Sequence, residues 1–271
     1  MIKMNFSIDK SNKADIAIIG GTGIYNTEII KNGKEIDVST PYGDCSDKIT
    51  LGTYMDKKIA FLPRHGQNHS VAPHKINVRG NIWALKELGV TRIIAPCAVG
   101  SLREIMKPGD IAIPDQFIDR TKNRVSTFYE KDKVAHISTA DPFCPDLRKI
   151  AISKGKKLEY RIHEKATQIC IEGPRFSTRA ESHMFRNWGG DTINMTLVPE
   201  CILAREVEIC YIAIATITDY DVWAEKPVSH HGVKKTLAEN VEKTNNIITN
   251  IIPEINLERN CLCAHALDEA I

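Results

Sequence analysis

The 271 residues carry 36 Lys and Arg against 34 Asp and Glu, a formal charge of +2 with the two signs interspersed, so no field of one sign points to a nucleic acid or a membrane as partner. The longest near-continuous apolar run is nine residues, well short of the ~20 that span a bilayer, and Met1–Asp15 holds no apolar signal core, so a cytoplasmic protein acting on small molecules is expected. No Pro/Gly/Ser linker or charge block divides the chain, which reads as a single domain over 1–271 with 254–271 as a peripheral, cysteine-containing tail.

Ala14–Ile19 is apolar and runs into Gly20-Gly21-Thr22-Gly23, a strand followed by a turn whose backbone amides suit an anion. Gly21 and Gly23 also match the first two glycines of a dinucleotide fingerprint, but Asn26 stands at the third and the Asn32-Gly33 turn leaves little room for a crossover helix. Phosphate is therefore expected here, with an NAD-dependent Rossmann-type oxidoreductase as the remote alternative. Lys58–Leu62 is a second strand that delivers Pro63-Arg64-His65-Gly66 at its end, where Arg with His suits an oxyanion. His65, His69 and His74 follow one another closely, but no acidic or cysteine ligand accompanies them at helical spacing, so no metal is expected.

Asn77–Leu88 has apolar residues at Val78, Ile82, Leu85 and Leu88 and stops at Gly89, the pattern of a core-facing helix. Arg92–Ala95 resumes as a strand and opens into Pro96-Cys97-Ala98-Val99-Gly100-Ser101, read as a third small-residue loop that lets a ligand approach the backbone. Cys97 has no basic neighbour in sequence and reads as a buried thiol. Ile111–Pro114 is the next strand, and residues 119–141, including His136, read as a long polar loop of the functional kind. Pro145–Lys157 reads as a helix and Thr167–Ile171 as a strand leading into Glu172-Gly173-Pro174-Arg175-Phe176. Thr178 and Glu181 have capping-box spacing before a helix that stops at Gly189-Gly190. Thr192–Thr196 reads as extended, Val198–Val207 as an amphipathic helix, and residues 232–252 as a last helix. This alternation predicts an α/β fold, a single three-layer domain with a central mixed sheet flanked by helices.

The near-continuous apolar run from Ile209 ends in Thr218-Asp219-Tyr220-Asp221. A short β-branched run of this kind is a strand buried on both faces, and ligands of such sheets gather at the strands' carboxyl ends. In extended geometry Asp219 and Asp221 point the same way, so one carboxyl should have a raised pKa and serve as a proton donor; capping of a following helix is the other role open to them. The eight cysteines lack the paired spacing of a zinc site, and Cys261-Leu262-Cys263 is too tight for one. At least one disulfide is expected, with Cys261 and Cys263 as exposed candidates and Cys144 with Cys210 as another pair.

Taken together, Gly20-Gly21-Thr22-Gly23, Pro63-Arg64-His65-Gly66, Ala98-Val99-Gly100-Ser101-Leu102-Arg103, Asp115–Thr121, Ile171–Ser177, Asn194-Met195-Thr196 and Thr218-Asp219-Tyr220-Asp221 resemble the purine nucleoside phosphorylase superfamily, most closely its 5'-methylthioadenosine branch. The resemblance covers nearly the whole chain. It implies phosphorolysis of a nucleoside, with inorganic phosphate as co-substrate and no cofactor. It also implies a phosphate site from Thr22, Arg64, His65, Cys97, Ala98 and Thr196, where Cys97 stands in place of a family Thr and removes one hydroxyl. Val99, Gly100, Phe176, Asn194 and Met195 would line base and ribose. Asp219 would serve as the acid and Asp221 as the acceptor from a 6-amino group, with His65 beside them in catalysis. His136 would come from a neighbouring subunit of a trimer or dimer of trimers. His230 and Val233 would meet the 5' substituent, His230 in a position that favours a 5'-hydroxyl.

Overall fold

The computed structural model describes residues 11–21, 30–131, 133–224, 230–268 and 270, and of residues 230–235 only the helical backbone. The strands are β1 (Ile16–Gly20), β2 (Lys31–Ile36), β3 (Ser39–Thr40), β4 (Gly43–Asp44), β5 (Ile49–Tyr54), β6 (Lys57–Pro63), β7 (Arg92–Ser101), β8 (Ile111–Ala112), β9 (Gln116–Arg120), β10 (Ile162–His163), β11 (Thr167–Ile171), β12 (Thr192–Asn194) and β13 (Cys210–Tyr220). The helices are α1 (Val78–Glu87), α2 (Pro145–Lys157), α3 (Arg179–Asn187), α4 (Leu197–Glu206) and α5 (His230–Ile251).

One mixed sheet runs in the order β10-β8-β13-β7-β1-β6-β5-β2, with β12, β11 and β9 branching from β7. Its centre, β13-β7-β1-β6, is parallel; β6-β5-β2 and the β13-β8 and β7-β12 pairs are antiparallel. Alternate side chains of the central strands enter opposite cores. Ala17, Ile19, Ile93, Ala95, Tyr211 and Ala213 pack with Ile82 and Leu85 of α1 and Leu203 of α4. Ile16, Ile18, Ile94, Ile212 and Ile214 pack with Leu147 and Ala151 of α2 and Ile247, Ile248 and Ile251 of α5. The period of two along each strand thus builds the expected three layers, because both faces of the parallel strands are covered.

Local signals in the sequence act as expected at several ends. Asn77 accepts from the Gly80 amide and starts α1, and the Thr178–Glu181 capping box starts α3. Two readings need correction. The stretch Pro96–Ser101 is not a loop but the second half of β7, paired residue by residue with β13 from Ile214 onward; small side chains here widen a cavity without ending the strand. The residues after Pro253 are not peripheral either, since Ile255, Cys261 and Cys263 are buried in the α2/α5 core and Arg92 donates to the carbonyls of Asn256 and Glu258. Strands β2 to β4, β9 and β10 are short or polar and carry little apolar signal, whereas β5 has alternating Ile49 and Leu51 that the sequence reading passed over.

Candidate active site

The two carboxylates stand at the carboxyl end of β13, Asp219 in the last pairs with β7 and Asp221 just beyond them. Ile217 opposes Val99 and Asp219 opposes Gly100, so Thr218 is an extra residue that bulges the strand and re-aims the two acids beyond it. Its hydroxyl donates to Asp219 Oδ1 at 2.6 Å and lies 3.2 Å from the Val99 carbonyl oxygen. A Cβ on Gly100 would stand 3.4 Å from Asp219 Oδ2 and 3.5 Å from Asp221 Cβ, so both acids lie over this glycine and face one side, as the alternation requires. Burial, reinforced by the charge of Asp221 and opposed by the Thr218 hydroxyl, raises the Asp219 pKa from 3.8 to about 7. Asp221 is raised by burial too, against the pull of Ser182 and the Val222 amide. The pair therefore holds a proton near neutral pH, which a solvated carboxylate does not.

Arg64 enters from the end of β6 and is 1% exposed. Its Nε and Nη2 donate to Glu200 Oε2 and Oε1 at 2.7 and 2.8 Å, and Nη1 donates to the Pro96 carbonyl at 3.0 Å. Burial opposes its charge, but the Glu200 carboxylate more than compensates and holds the guanidinium protonated. His65 lines the same cavity as a neutral ring. Burial pushes its pKa down to about 4, so the ring is neutral at pH 7. Its Nδ1 is 2.9 Å from the Val71 carbonyl, which can only accept; Nδ1 therefore carries the proton and Nε2 is left as an acceptor. Cys97 is also held as a neutral thiol by burial.

These groups share a cavity of about 430 Å³, within the size range of small-molecule sites. Arg64, His65, Cys97, Ala98, Val99, Gly100, Phe176, Asn194, Met195, Thr196, Asp219 and Asp221 all line it, together with Gly21, His69, Pro73, Ile171, Pro174, Ser177, Ile193 and Thr218. Residues far apart in sequence, Arg64 and Ile171 for example, meet because β6 and β13 end here, β7 runs along the cavity, and β11 and β12 end against it from the opposite direction. Asn194 is buried with its amide facing the Cys97 thiol and in no hydrogen bond to a nitrogen or oxygen of the described residues, a group suited to a ligand. Thr22 lies outside the described residues, as do the side chains of His230 and Val233. His136 does not line the cavity: it is exposed on the loop after β9, where its amide donates to the Ala270 carbonyl at 2.8 Å.

The family model described as Phosphorylase superfamily matches residues 15–253. The chain belongs to the phosphorylase superfamily. Among relatives of this superfamily, the chain is 56% identical to S-methyl-5'-thioadenosine phosphorylase of Thermofilum pendens over 96% of its length and 99% of the relative's. It is 56% identical to the enzyme of the same name from Nitrosopumilus maritimus, covering 94% and 97% of the two chains. Among solved phosphorylase structures, a methylthioadenosine phosphorylase from an antarctic soil metagenomic library superposes with a TM-score of 0.90 at 45% identity, over 96% of this chain and 92% of the other. A mutant adenosine/methylthioadenosine phosphorylase of Schistosoma mansoni, in complex with methylthioadenosine, gives 0.87 at 36% identity over 91% and 93%.

Two features escaped the sequence reading. Glu200 was hidden in an apolar helix, Leu197-Val198-Pro199-Glu200-Cys201; the signal was a lone carboxylate on a face too apolar to be solvated. The cysteines were judged by spacing along the chain, but the fold gathers Cys144, Cys210, Cys261 and Cys263 so that their sulfurs lie within 4.8 Å of one another. All four are buried and all eight cysteines are unbonded in this structure, which corrects the picture of Cys261 and Cys263 as exposed. The sulfurs of Cys210 and Cys261 are 3.3 Å apart.

Proposed function

We propose that this protein cleaves the N-glycosidic bond of 5'-methylthioadenosine with phosphate, releasing adenine and 5-methylthioribose 1-phosphate. The observation that carries the reading is one cavity holding a fixed guanidinium and a carboxyl that is still protonated near pH 7. Phosphate, oriented by Arg64 and by the backbone and hydroxyls of Ala98, Thr196 and Thr22, attacks the anomeric carbon as the bond to the purine breaks. The bonding electrons leave with the base, and Asp219 protonates or hydrogen-bonds the purine imidazole nitrogen that receives them. Asp221 accepts from the 6-amino group, which favours adenine. His65 Nε2 accepts from a phosphate or ribose hydroxyl. The reaction so drawn needs no cofactor; phosphate is the co-substrate.

The protein works in the cytoplasm as a trimer or dimer of trimers, with His136 reaching a neighbour's cavity; that His136 is exposed and off its own cavity supports this. Cysteine pairing is confined to the buried tetrad. A broader activity on adenosine is the second reading, supported by the polar His230 in the sequence and by the name of the Schistosoma relative. The experiment is to follow base release from 5'-methylthioadenosine, adenosine and inosine, each with and without phosphate. Release of adenine only with phosphate, with a pentose 1-phosphate as the other product, is expected; equal release in phosphate-free buffer would sink the proposal.

A further inference from the structure

Among the described residues lining the cavity, Arg64 alone carries a guanidinium or ammonium, and most of its hydrogen-bonding capacity is spent elsewhere. Of its five N–H groups, three go to Glu200 and Pro96. One N–H each on Nη1 and Nη2 is left. Nη1 lies 2.9 Å from where a Cβ on Gly21 would sit, so the guanidinium comes this close to Gly21 only because that residue lacks a side chain.

Glu200 is as buried as its partner, with side chains of both only 2% exposed. Its Oε1 also accepts from the Tyr211 hydroxyl at 2.7 Å, so the carboxylate is fixed from β13 as well as by the arginine. A buried ion pair is weak support for stability, because desolvating two charges offsets most of their attraction and apolar residues of similar volume serve as well. Glu200 sits in the first turn of α4, directly after Met195 and Thr196, which line the cavity. Its fork binds the Nε side of the guanidinium, and that choice decides which edge is left for an anion.

We propose that Glu200 is a positioning residue for the anion site: it fixes the edge that Arg64 presents to phosphate and cancels the charge of Arg64, so that phosphate is held by direction and not by net charge. The proposal rests on the phosphorolysis reading and deepens it. Tyr211 belongs to the same device, one step further out.

The test is steady-state kinetics with phosphate and nucleoside varied separately, for the parent, Glu200→Gln, Arg64→Met and the double variant. Gln keeps the shape but sets an amide N–H against a guanidinium N–H, so the two-point grip is lost. In Glu200→Gln, kcat/KM for phosphate should fall at least ~10-fold, the scale of one charge-assisted hydrogen bond, while KM for the nucleoside stays within about twofold. In the Arg64→Met background the same Glu200→Gln change should cause no further fall, because its effect passes through Arg64. A merely structural role lowers the folded fraction, which leaves the KM for phosphate of the folded enzyme unmoved. An unchanged kcat/KM for phosphate in folded Glu200→Gln, or an equal fall with and without Arg64, overturns the proposal. Should Glu200→Gln not fold, Tyr211→Phe leaves the ion pair in place and should lower kcat/KM selectively for phosphate; an equal loss for both substrates overturns it too. If the parent releases base without phosphate, the phosphorolysis reading has failed; if it needs phosphate and Glu200→Gln matches it, only the positioning role has.

Discussion

Asp219→Asn should cripple turnover and at the same time stabilise the protein, and the size of the second effect can be worked from the structure. Burial lifts this carboxyl from 3.8 to about 7, and three units correspond to about 4 kcal/mol, an upper bound for a group at a cavity wall. Because the folded-state pKa is the higher one, Asp219 costs nothing below about pH 4, where both states are protonated. As pH rises from there to about 7 the unfolded chain gains by ionising and the folded one does not, so stability is lost across that window and the loss is constant above it. Asparagine cannot ionise but can still accept from the Thr218 hydroxyl. Urea unfolding of parent and variant should therefore show little difference at pH 4 and a gain of about 2–4 kcal/mol for the variant at pH 8. Turnover of 5'-methylthioadenosine should fall by about 10²- to 10⁴-fold, the usual worth of a positioned acid, and the fall of kcat/KM above about pH 7 should disappear. A stability difference that does not change between pH 4 and pH 8, or parent-level turnover, would refute the assignment of Asp219 as the buried acid.

Thr218→Val removes the hydroxyl that pulls the Asp219 pKa down, so the alkaline limb of the pH–rate profile should move to higher pH; a limb that stays in place would show that the bulge hydroxyl does not tune the acid. Protein handled without reductant and alkylated after unfolding in denaturant should show fewer than the eight alkylatable thiols that the sequence provides, with the missing ones confined to Cys144, Cys210, Cys261 and Cys263; eight alkylatable thiols, or four thiols freed by removing a bound metal, would refute pairing. His230→Val should shift the ratio of catalytic efficiencies from adenosine toward 5'-methylthioadenosine, on the order of 10²-fold if a buried partner of a 5'-hydroxyl is lost. An unchanged ratio would place His230 outside the pocket.

Much of this site was legible because strands end in it. An apolar β-branched run such as 209–217 reads as a buried strand, and the polar residues after it stand at the carboxyl edge of the sheet; Asp219, Asp221, Arg64 and His65 are all found in that way. What the sequence hid depends on partners far along the chain. The motif places His65 beside Arg64 without fixing its charge, and only the fold shows its Nδ1 committed to Val71 inside a buried wall. Pro96 and Gly100 read as a loop because turn residues usually do, yet pairing with β13 on one side outweighs that local preference. The cysteine tetrad joins the start of α2, the start of β13 and the tail, three points that no spacing rule connects.

The charges of the cavity form one pattern once Glu200 is included. Arg64 is matched by Glu200, His65 is neutral, Cys97 is a thiol and Asp219 holds its proton for much of the time at pH 7. The phosphate dianion would then bring in the main unbalanced charge. A guanidinium without its carboxylate would be free to turn, and contacts made equally with phosphate alone and with phosphate in the transition state do not speed the step. Directed N–H groups with little net field leave the dianion's charge free for the ribose, where positive charge grows only as the bond to the base breaks. On this argument the buried carboxylate beside Arg64 raises kcat as well as ordering the site, and replacing it should cost turnover even when phosphate is saturating.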